Sequence, residues 1–304
     1  MIVIDDASSD STPQIVERFS RQDRRISFIR HETNWGYFKL GKTYNQALEK
    51  ARGELIAILE GDDFWPSKKL GKQTLCFKDN EVVLSWGQAA FTDGQGHILG
   101  LRPIKNFKKE IFNNRPRGII LKVLLYKNII PAVSVLIRKS ALLRIGGFHH
   151  GSYLPFVDYP TFLQISLQGE FSFVDEIVGH WRRYDEQGTS KFLEIQTEAA
   201  NRYVLEFFPK IPKSVAKEYG LSLEKLRKYQ DSRLAFSYLA TARVKLAESR
   251  WPEARTVLKN ILGGRGSLPI KSLALLGIFL SLTKADFEFL AKMKSKLTIK
   301  KSAF

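Results

Sequence analysis

The sequence predicts an α/β domain, a parallel sheet sandwiched by helices, continued by an α-helical C-terminal region. Short apolar runs alternate with helix-length segments over residues 1 to 91. Acidic clusters stand at the ends of these runs or at the starts of helices, and from about Glu194 the pattern turns entirely helical.

Ile2-Val3-Ile4 is a short apolar strand, and Thr12 before Pro13 predicts an N-cap with proline at the first helical position. Ile26 to Ile29 is a second strand. Thr43 to Arg52 carries helix formers and stops at Gly53, and Glu54 to Leu59 comes next as a third strand, apolar enough to be covered on both faces. Lys68 to Phe77 predicts a helix, Val82 to Ala90 a strand, and Thr92 to Gly96 a turn. The basic stretch from Gly100 to Arg117 predicts a loop. Beyond it, Ala132 to Ile137 predicts a strand, Arg138 to Ile145 a short helix ended by Gly146-Gly147, Asp158 to Gln168 a helix and Phe171 to Tyr184 extended chain. In the tail, Leu234 to Glu248 and Glu253 to Leu262 form a helix pair around Trp251-Pro252. Its spacing resembles one tetratricopeptide unit, but a single unit makes no array, so an ordinary helical hairpin is expected. Two domains are expected, residues 1–193 and a basic helical region 194–304.

With 304 residues, 44% hydrophobic and 26% charged, the chain suits a globular protein and neither a disordered chain nor a polytopic membrane protein. Cys76 is the single cysteine, which excludes an internal disulfide scaffold and a thiolate zinc site and favours a reducing compartment. Met1 leads straight into apolar residues and acids, so no signal peptide is expected there. The run Leu268 to Leu282 is interrupted by Pro269, Lys271 and Gly277 and predicts a buried or interfacial helix. Of 48 basic and 31 acidic residues, 21 and 8 fall between Asn201 and Phe304, a surplus of 13. Such a surface attracts any polyanion. It is read either as a solvated basic face or as an anionic-membrane docking surface, and the absence of nucleic-acid-binding motifs ranks specific nucleic acid last.

Three acidic clusters carry the chemistry. Asp5-Asp6-Ala7-Ser8-Ser9-Asp10 comes after the first strand and reads as either a turn or a binding loop. In Glu60-Gly61-Asp62-Asp63-Phe64-Trp65, three carboxylates within four residues repel one another. The cluster reads as either a solvated acidic turn or, favoured by the strand before it, a site where a hard divalent cation relieves this repulsion and adds a charge for diphosphate, Gly61 allowing close approach. Asp158 fits the N-cap of its helix, and local sequence favours reading it as a simple cap; the alternative is a carboxylate kept ionised by the helix terminus and able to accept a proton.

Together with Asn34-Trp35-Gly36, Thr43-Tyr44-Asn45-Gln46-Ala47-Leu48, Ala51 to Ile56, Lys69-Leu70 with Gln73, Gly146-Gly147-Phe148 and Arg182-Arg183, these clusters resemble the family 2 glycosyltransferases of GT-A fold over roughly residues 1–190. The resemblance implies an inverting, metal-dependent transfer of sugar from a nucleotide-diphosphate sugar, UDP-linked by the family's habit, to a hydroxyl of a glycan or lipid-linked acceptor in polysaccharide or glycan biosynthesis. It implies that Asp6 contacts the base, with Asp5, Ser8, Asn34 and Asn45 around the nucleotide and Arg182 and Arg183 at the diphosphate. Asp62 matches the last acid of the Asp-x-Asp motif and would hold Mg2+ or Mn2+, flanked by Glu60 in place of the usual aspartate and by Asp63; Asp158 matches the catalytic base. Family members open with a strand and a Pro-x-Tyr-Asn-type turn ahead of the Asp-Asp segment, so the resemblance implies an N-terminally truncated GT-A domain. Where relatives often carry a histidine after the arginine, this sequence has Tyr184. The expected location is cytoplasmic, peripheral at the inner face of the plasma membrane. The competing reading is an inactive remnant serving as a binding or membrane-docking module.

Overall fold

The computed structural model describes residues 1–101, 108–149, 151–184, 193–264 and 266–284. Two compact units divide the chain: Met1–Lys191 with Arg202–Leu221, and Phe192–Asn201 with Ser222–Phe304.

In the first unit, β1 (Ile2–Asp5), α1 (Thr12–Gln22) and β2 (Ser27–Arg30) form a β-α-β start, with β1 and β2 parallel and Ile2 opposite Ser27. Ser11, not Thr12, is the cap residue of α1; Thr12 is already helical, and its N–H is taken by Asp10 Oδ1 at 2.9 Å. A 3-10 turn (Tyr37–Lys39) leads into α2 (Leu40–Lys50), and β3 (Leu55–Ala57) comes after it.

The sheet is not all-parallel, as the sequence pattern had suggested. Among the described residues β3 does not join β1 and β2; it pairs antiparallel with β6 (Leu136–Arg138) in a separate five-stranded mixed sheet. Only three residues long and half-exposed throughout, β3 is not the doubly covered strand its apolar composition suggested. Apolar content identifies a strand but does not choose its neighbour.

The centre of this sheet is β4 (Val82–Thr92), where Leu84, Trp86, Ala89 and Ala90 have no exposed surface. It pairs antiparallel with β6 and with β5 (Ile98–Leu101), and parallel with β7 (Glu170–Arg182), Thr92 lying opposite Arg182. After β3 come α3 (Lys69–Thr74) and a 3-10 turn to Lys78. The stretch read as a loop from Gly100 instead carries the end of β5 and the short helix α4 (Lys109–Phe112); its residues 102–107 lie outside the described ones. Asn114, fully buried, ties together the turn after α4 and the start of β7: its amide donates to Ser166 O and Gly169 O, and its Oδ1 accepts from Gly118 N and Ile120 N. Both amide hydrogens and the carbonyl oxygen are thus engaged, so the burial of this side chain is compensated.

The helix α5 (Leu121–Leu124) precedes a 3-10 turn at Ala132–Ser134, so only the latter part of the strand predicted from Ala132 is strand. Next come α6 (Lys139–Arg144) and α7 (Asp158–Ile165). The tail is helical: α8 (Leu193–Phe207), α9 (Lys213–Glu218), α10 (Leu223–Ala247), α11 (Trp251–Gly263) and α12 (Leu268–Thr283). In the second unit, α10, α11 and α12 share a core of Ala235, Ala242, Val257, Leu258, Ile261, Ile270 and Ala274. The hairpin thus gains a third helix, whose Gly277 lets α12 approach α11: a Cβ there would stand 2.9 Å from Leu258 Cδ1. No helix among the described residues is long and apolar enough to cross a membrane.

Candidate functional site

The acidic loop after β3 is held in a fixed place on β7. Phe64 and His180 exchange backbone hydrogen bonds, 3.2 Å from Phe64 N to His180 O and 2.9 Å in return, and their rings stack with centroids 4.4 Å apart. Two residues on, Arg182 N donates to Asp63 Oδ1 at 3.0 Å and Arg182 Nη1 to Asp62 O at 3.1 Å. Asp63 N closes the turn on Glu60 O, and a Cβ at Gly61 would meet nothing within 4 Å, so the turn has open space beside it. Arg183, next along the chain, stacks on Phe91 and Trp181, at 5.1 and 5.8 Å from the two ring centroids. Strand alternation sends it to the face opposite Arg182, so it is not brought to the acidic turn.

Three consecutive residues of α2 tie the distant segments together. Tyr44 donates its hydroxyl to Glu60 Oε1. Asn45 binds the backbone of Phe148 in both directions, accepting from its N–H at 2.7 Å and donating to its carbonyl at 2.9 Å. Gln46 Oε1 meets His31 Nε2 at 2.8 Å, and His31 Nδ1 meets Asp6 Oδ1 at 2.7 Å. Successive helical side chains point about 100° apart, so three neighbours in sequence reach three directions: the acidic turn, the segment before α7, and the loop after β1. Gly147 permits the second contact: its φ of +92° suits glycine, and a Cβ there would collide with the Asn45 amide.

Asp158 is the first residue of α7 rather than its cap, the cap position being Val157. Its carboxylate faces Asn128, whose Nδ2 donates to Asp158 Oδ2 at 3.0 Å. The electrostatics place it with the acidic turn. Burial first, then Asp158 and Asp62, against the Tyr44 hydrogen bond, push the Glu60 carboxyl up to about 7. Burial, then Asp62 and Glu60, against the Arg182 N–H, push Asp63 to about 7. Burial, Glu60, Asp158 and Asp63 together raise the Tyr44 phenol well above its usual value. Four carboxylates and a phenol therefore share one field, although Asp158 is 95 residues beyond Asp63 in the chain.

The first cluster is more structural than its position suggested. Asp5 is 4% exposed, accepts from Ser8 N and pairs with Arg30 at 3.2 Å. Asp6 accepts from His31, from Trp35 N and from Gly36 N, the last two at 2.9 Å, and Asn34 Nδ2 donates to its carbonyl. Burial raises the Asp6 carboxyl, but these donors outweigh it and hold it below the usual range. Trp35 is stacked on His31 at 3.7 Å with Lys42 Nζ 4.2 Å above its ring. Tyr37, at the start of the 3-10 turn after β2, acts electrostatically on Tyr184, whose hydroxyl is bonded to Asp62.

Reasoning from sequence missed Tyr44, His31, Gln46 and Asn128. The first and third lie in the segment Thr43–Leu48, which the sequence already singled out and which falls inside α2; His31 and Asn128 carry no local signal.

Among the described residues no group of three or more His, Cys, Asp and Glu side chains forms a cage for a metal ion. The donor set still fits a hard cation, because Mg2+ and Mn2+ sites commonly take one or two carboxylates and complete the shell with water and substrate phosphate.

Sheet, helices and acidic turn define an α/β domain of GT-A type with C-terminal helices after it, and comparison with known proteins agrees. Residues 1–142 match the family model Glycosyl transferase family 2. The chain is 31% identical over 160 residues to an uncharacterized glycosyltransferase of Haemophilus influenzae, covering 52% of this chain and 58% of that protein. It is 40% identical over 86 residues to TuaG of Bacillus subtilis, a glycosyltransferase assigned by name to teichuronic acid biosynthesis, covering 28% of this chain and 33% of TuaG. The matches thus span about three fifths of the first relative and a third of the second. In fold, the chain is similar to the mannosyltransferase PcManGT from Pyrobaculum calidifontis, solved with GDP-Man and Mn2+: TM-score 0.51 at 17% identity, covering 92% of this chain and 70% of that one.

Proposed function

We propose that this chain is an inverting, metal-assisted glycosyltransferase that moves a sugar from a nucleotide-diphosphate donor to a hydroxyl of a glycan or lipid-linked acceptor in polysaccharide or glycan biosynthesis. The observation that carries it is the convergence of Glu60, Asp62, Asp63 and Asp158 in one electrostatic neighbourhood. Carboxylates crowded against their own repulsion are a cost that a cation and a reacting hydroxyl can both turn to use.

Asp62 and Asp63 would hold Mg2+ or Mn2+, with Glu60 bonded to Tyr44 behind them. When bound, that cation neutralises the charge building on the departing diphosphate. Arg182, tied to the carbonyl of Asp62, would add a cationic side chain for those phosphates. Asp158 takes the proton of the acceptor hydroxyl as it attacks the anomeric carbon opposite the leaving group, and a single displacement inverts that centre. Asp6, with its oxygens committed to His31, Trp35 and Gly36, shapes the loop that faces the base, leaving the exposed Asn34 to reach it. Donor turnover with UDP- and GDP-linked sugars at millimolar Mn2+ tests this reading: turnover that vanishes in Asp62→Ala supports it, and absence of any donor binding supports a non-catalytic module instead.

The C-terminal helices supply a face suited to an anionic membrane. On α12, Leu275, Leu276, Phe279 and Leu282 are exposed, within a region carrying a surplus of 13 positive charges. Co-sedimentation with phosphatidylglycerol vesicles that survives Leu276→Ser with Phe279→Ser would remove this attachment.

A further inference from the structure

We infer that Tyr184 is a positioning residue for the carboxylate of Asp62, an inference that rests on the cation-binding reading of Asp62 given above. Its hydroxyl donates to Asp62 Oδ2 at 3.0 Å, across 122 residues of chain. The contact is not the chance reach of an exposed side chain. Tyr184 lies two residues beyond β7, and that strand end is fastened to the same turn by the Phe64–His180 bridge, by Arg182 N on Asp63 and by Arg182 Nη1 on Asp62 O. The two partners are therefore held in register by bonds that do not involve the phenol.

A neutral phenol is a poor ligand for a hard cation but a good hydrogen-bond donor. Held by it, the Asp62 carboxylate keeps one orientation, and a cation meets a ligand whose rotation has already been stopped. Hydrogen-bonded partners of ligating carboxylates set affinity in this way, and their loss typically costs about 10- to 100-fold in metal binding. The phenol adds no positive charge, so it orients the carboxylate without competing electrostatically for the site.

The test is Mn2+ binding to the full chain, read from the electron paramagnetic resonance signal of free Mn2+ in the presence of UDP or GDP. Tyr184→Phe removes one exposed oxygen and is expected to weaken Mn2+ binding about 10- to 100-fold, with metal-free nucleotide affinity and melting temperature unchanged. The same change made on Asp62→Asn is expected to have no further effect, because Tyr184 acts through that carboxylate. Equal Mn2+ affinity in Tyr184→Phe, or tighter binding, overturns the inference, as does an undiminished loss in the Asp62→Asn background. If the unaltered chain binds no Mn2+ with either nucleotide, the reading of Asp62 falls and this inference with it, an outcome distinct from equal binding in both.

Discussion

Asn45 and Phe148, 103 residues apart, are joined by two hydrogen bonds between one side-chain amide and both backbone groups of a single residue. This contact fastens α2 to the segment leading into α7, and so sets where Asp158 stands relative to Tyr44 and Glu60.

Asn45→Ala leaves the N–H and carbonyl of Phe148 without those partners. A loss of about 1–3 kcal/mol in unfolding free energy is expected, measured by urea denaturation. Unchanged stability would show that water replaces the amide at no cost. Asn45 was expected at the nucleotide; a variant that unfolds more easily yet binds nucleotide normally when folded would assign it to the frame.

Lys69 gives a pH signature. Fully buried beside Gln73 and Val135 O, its ammonium is driven down to about 7 by desolvation. The unfolded chain holds this proton up to about 10.5, so between these values the unfolded state binds more protons and stability climbs with pH. The contribution is complete above the unfolded value and lost as pH falls to about 7. Unfolding free energy measured from pH 7 to 10 should therefore rise in the native chain relative to Lys69→Met. A constant difference between the two contradicts the assignment.

Asp6 has the opposite range. Its carboxyl is held below 3.8 in the folded chain by His31, Trp35 N and Gly36 N, against the effect of burial. The stability it contributes is present above that value and disappears as pH falls through the lowered one. Asp6→Asn should flatten the acid limb of the stability curve below about pH 4, monitored by circular dichroism. An acid limb as steep as the native one would mean that other carboxylates govern it.

Much of the fold was legible from local pattern: the order of strands and helices through Arg52, the helix after Lys139 ended by two glycines with positive φ, and the long final strand. Partnership was not legible. Leu55, Ile56 and Ala57 look alike whether they join β1 or β6, and only long-range pairing decides. The acids proposed for the site stand out in sequence because carboxylate clusters after apolar strands, and a carboxylate at a helix start, are conspicuous. Their supports, His31 and Asn128, look like ordinary loop residues until the chain folds back on them, and Arg183 was indistinguishable from Arg182 until strand alternation separated them.

Asn128 is one such support. It donates to Asp158 Oδ2 while its own Oδ1 is fixed by Ile130 N at 3.1 Å. Asn128→Ala removes this hydrogen bond from the Asp158 carboxylate, and a fall of about 10-fold or more in kcat is expected with donor affinity retained, as seen in steady-state kinetics alongside calorimetric donor titration. Parallel loss of both would mean that Asn128 serves the fold and not the base.

Under the proposed function, Asp62 and Asp158 serve one sugar-diphosphate from two sides. Calorimetric donor binding with Mn2+, paired with sugar transfer or donor hydrolysis, separates their roles in Asp62→Ala and Asp158→Asn. Asp62→Ala is expected to lose metal-dependent donor binding and turnover together, and Asp158→Asn to bind donor normally while turnover falls by about 10²- to 10⁴-fold. Normal turnover in Asp158→Asn, or metal-dependent donor binding that survives Asp62→Ala, would contradict it.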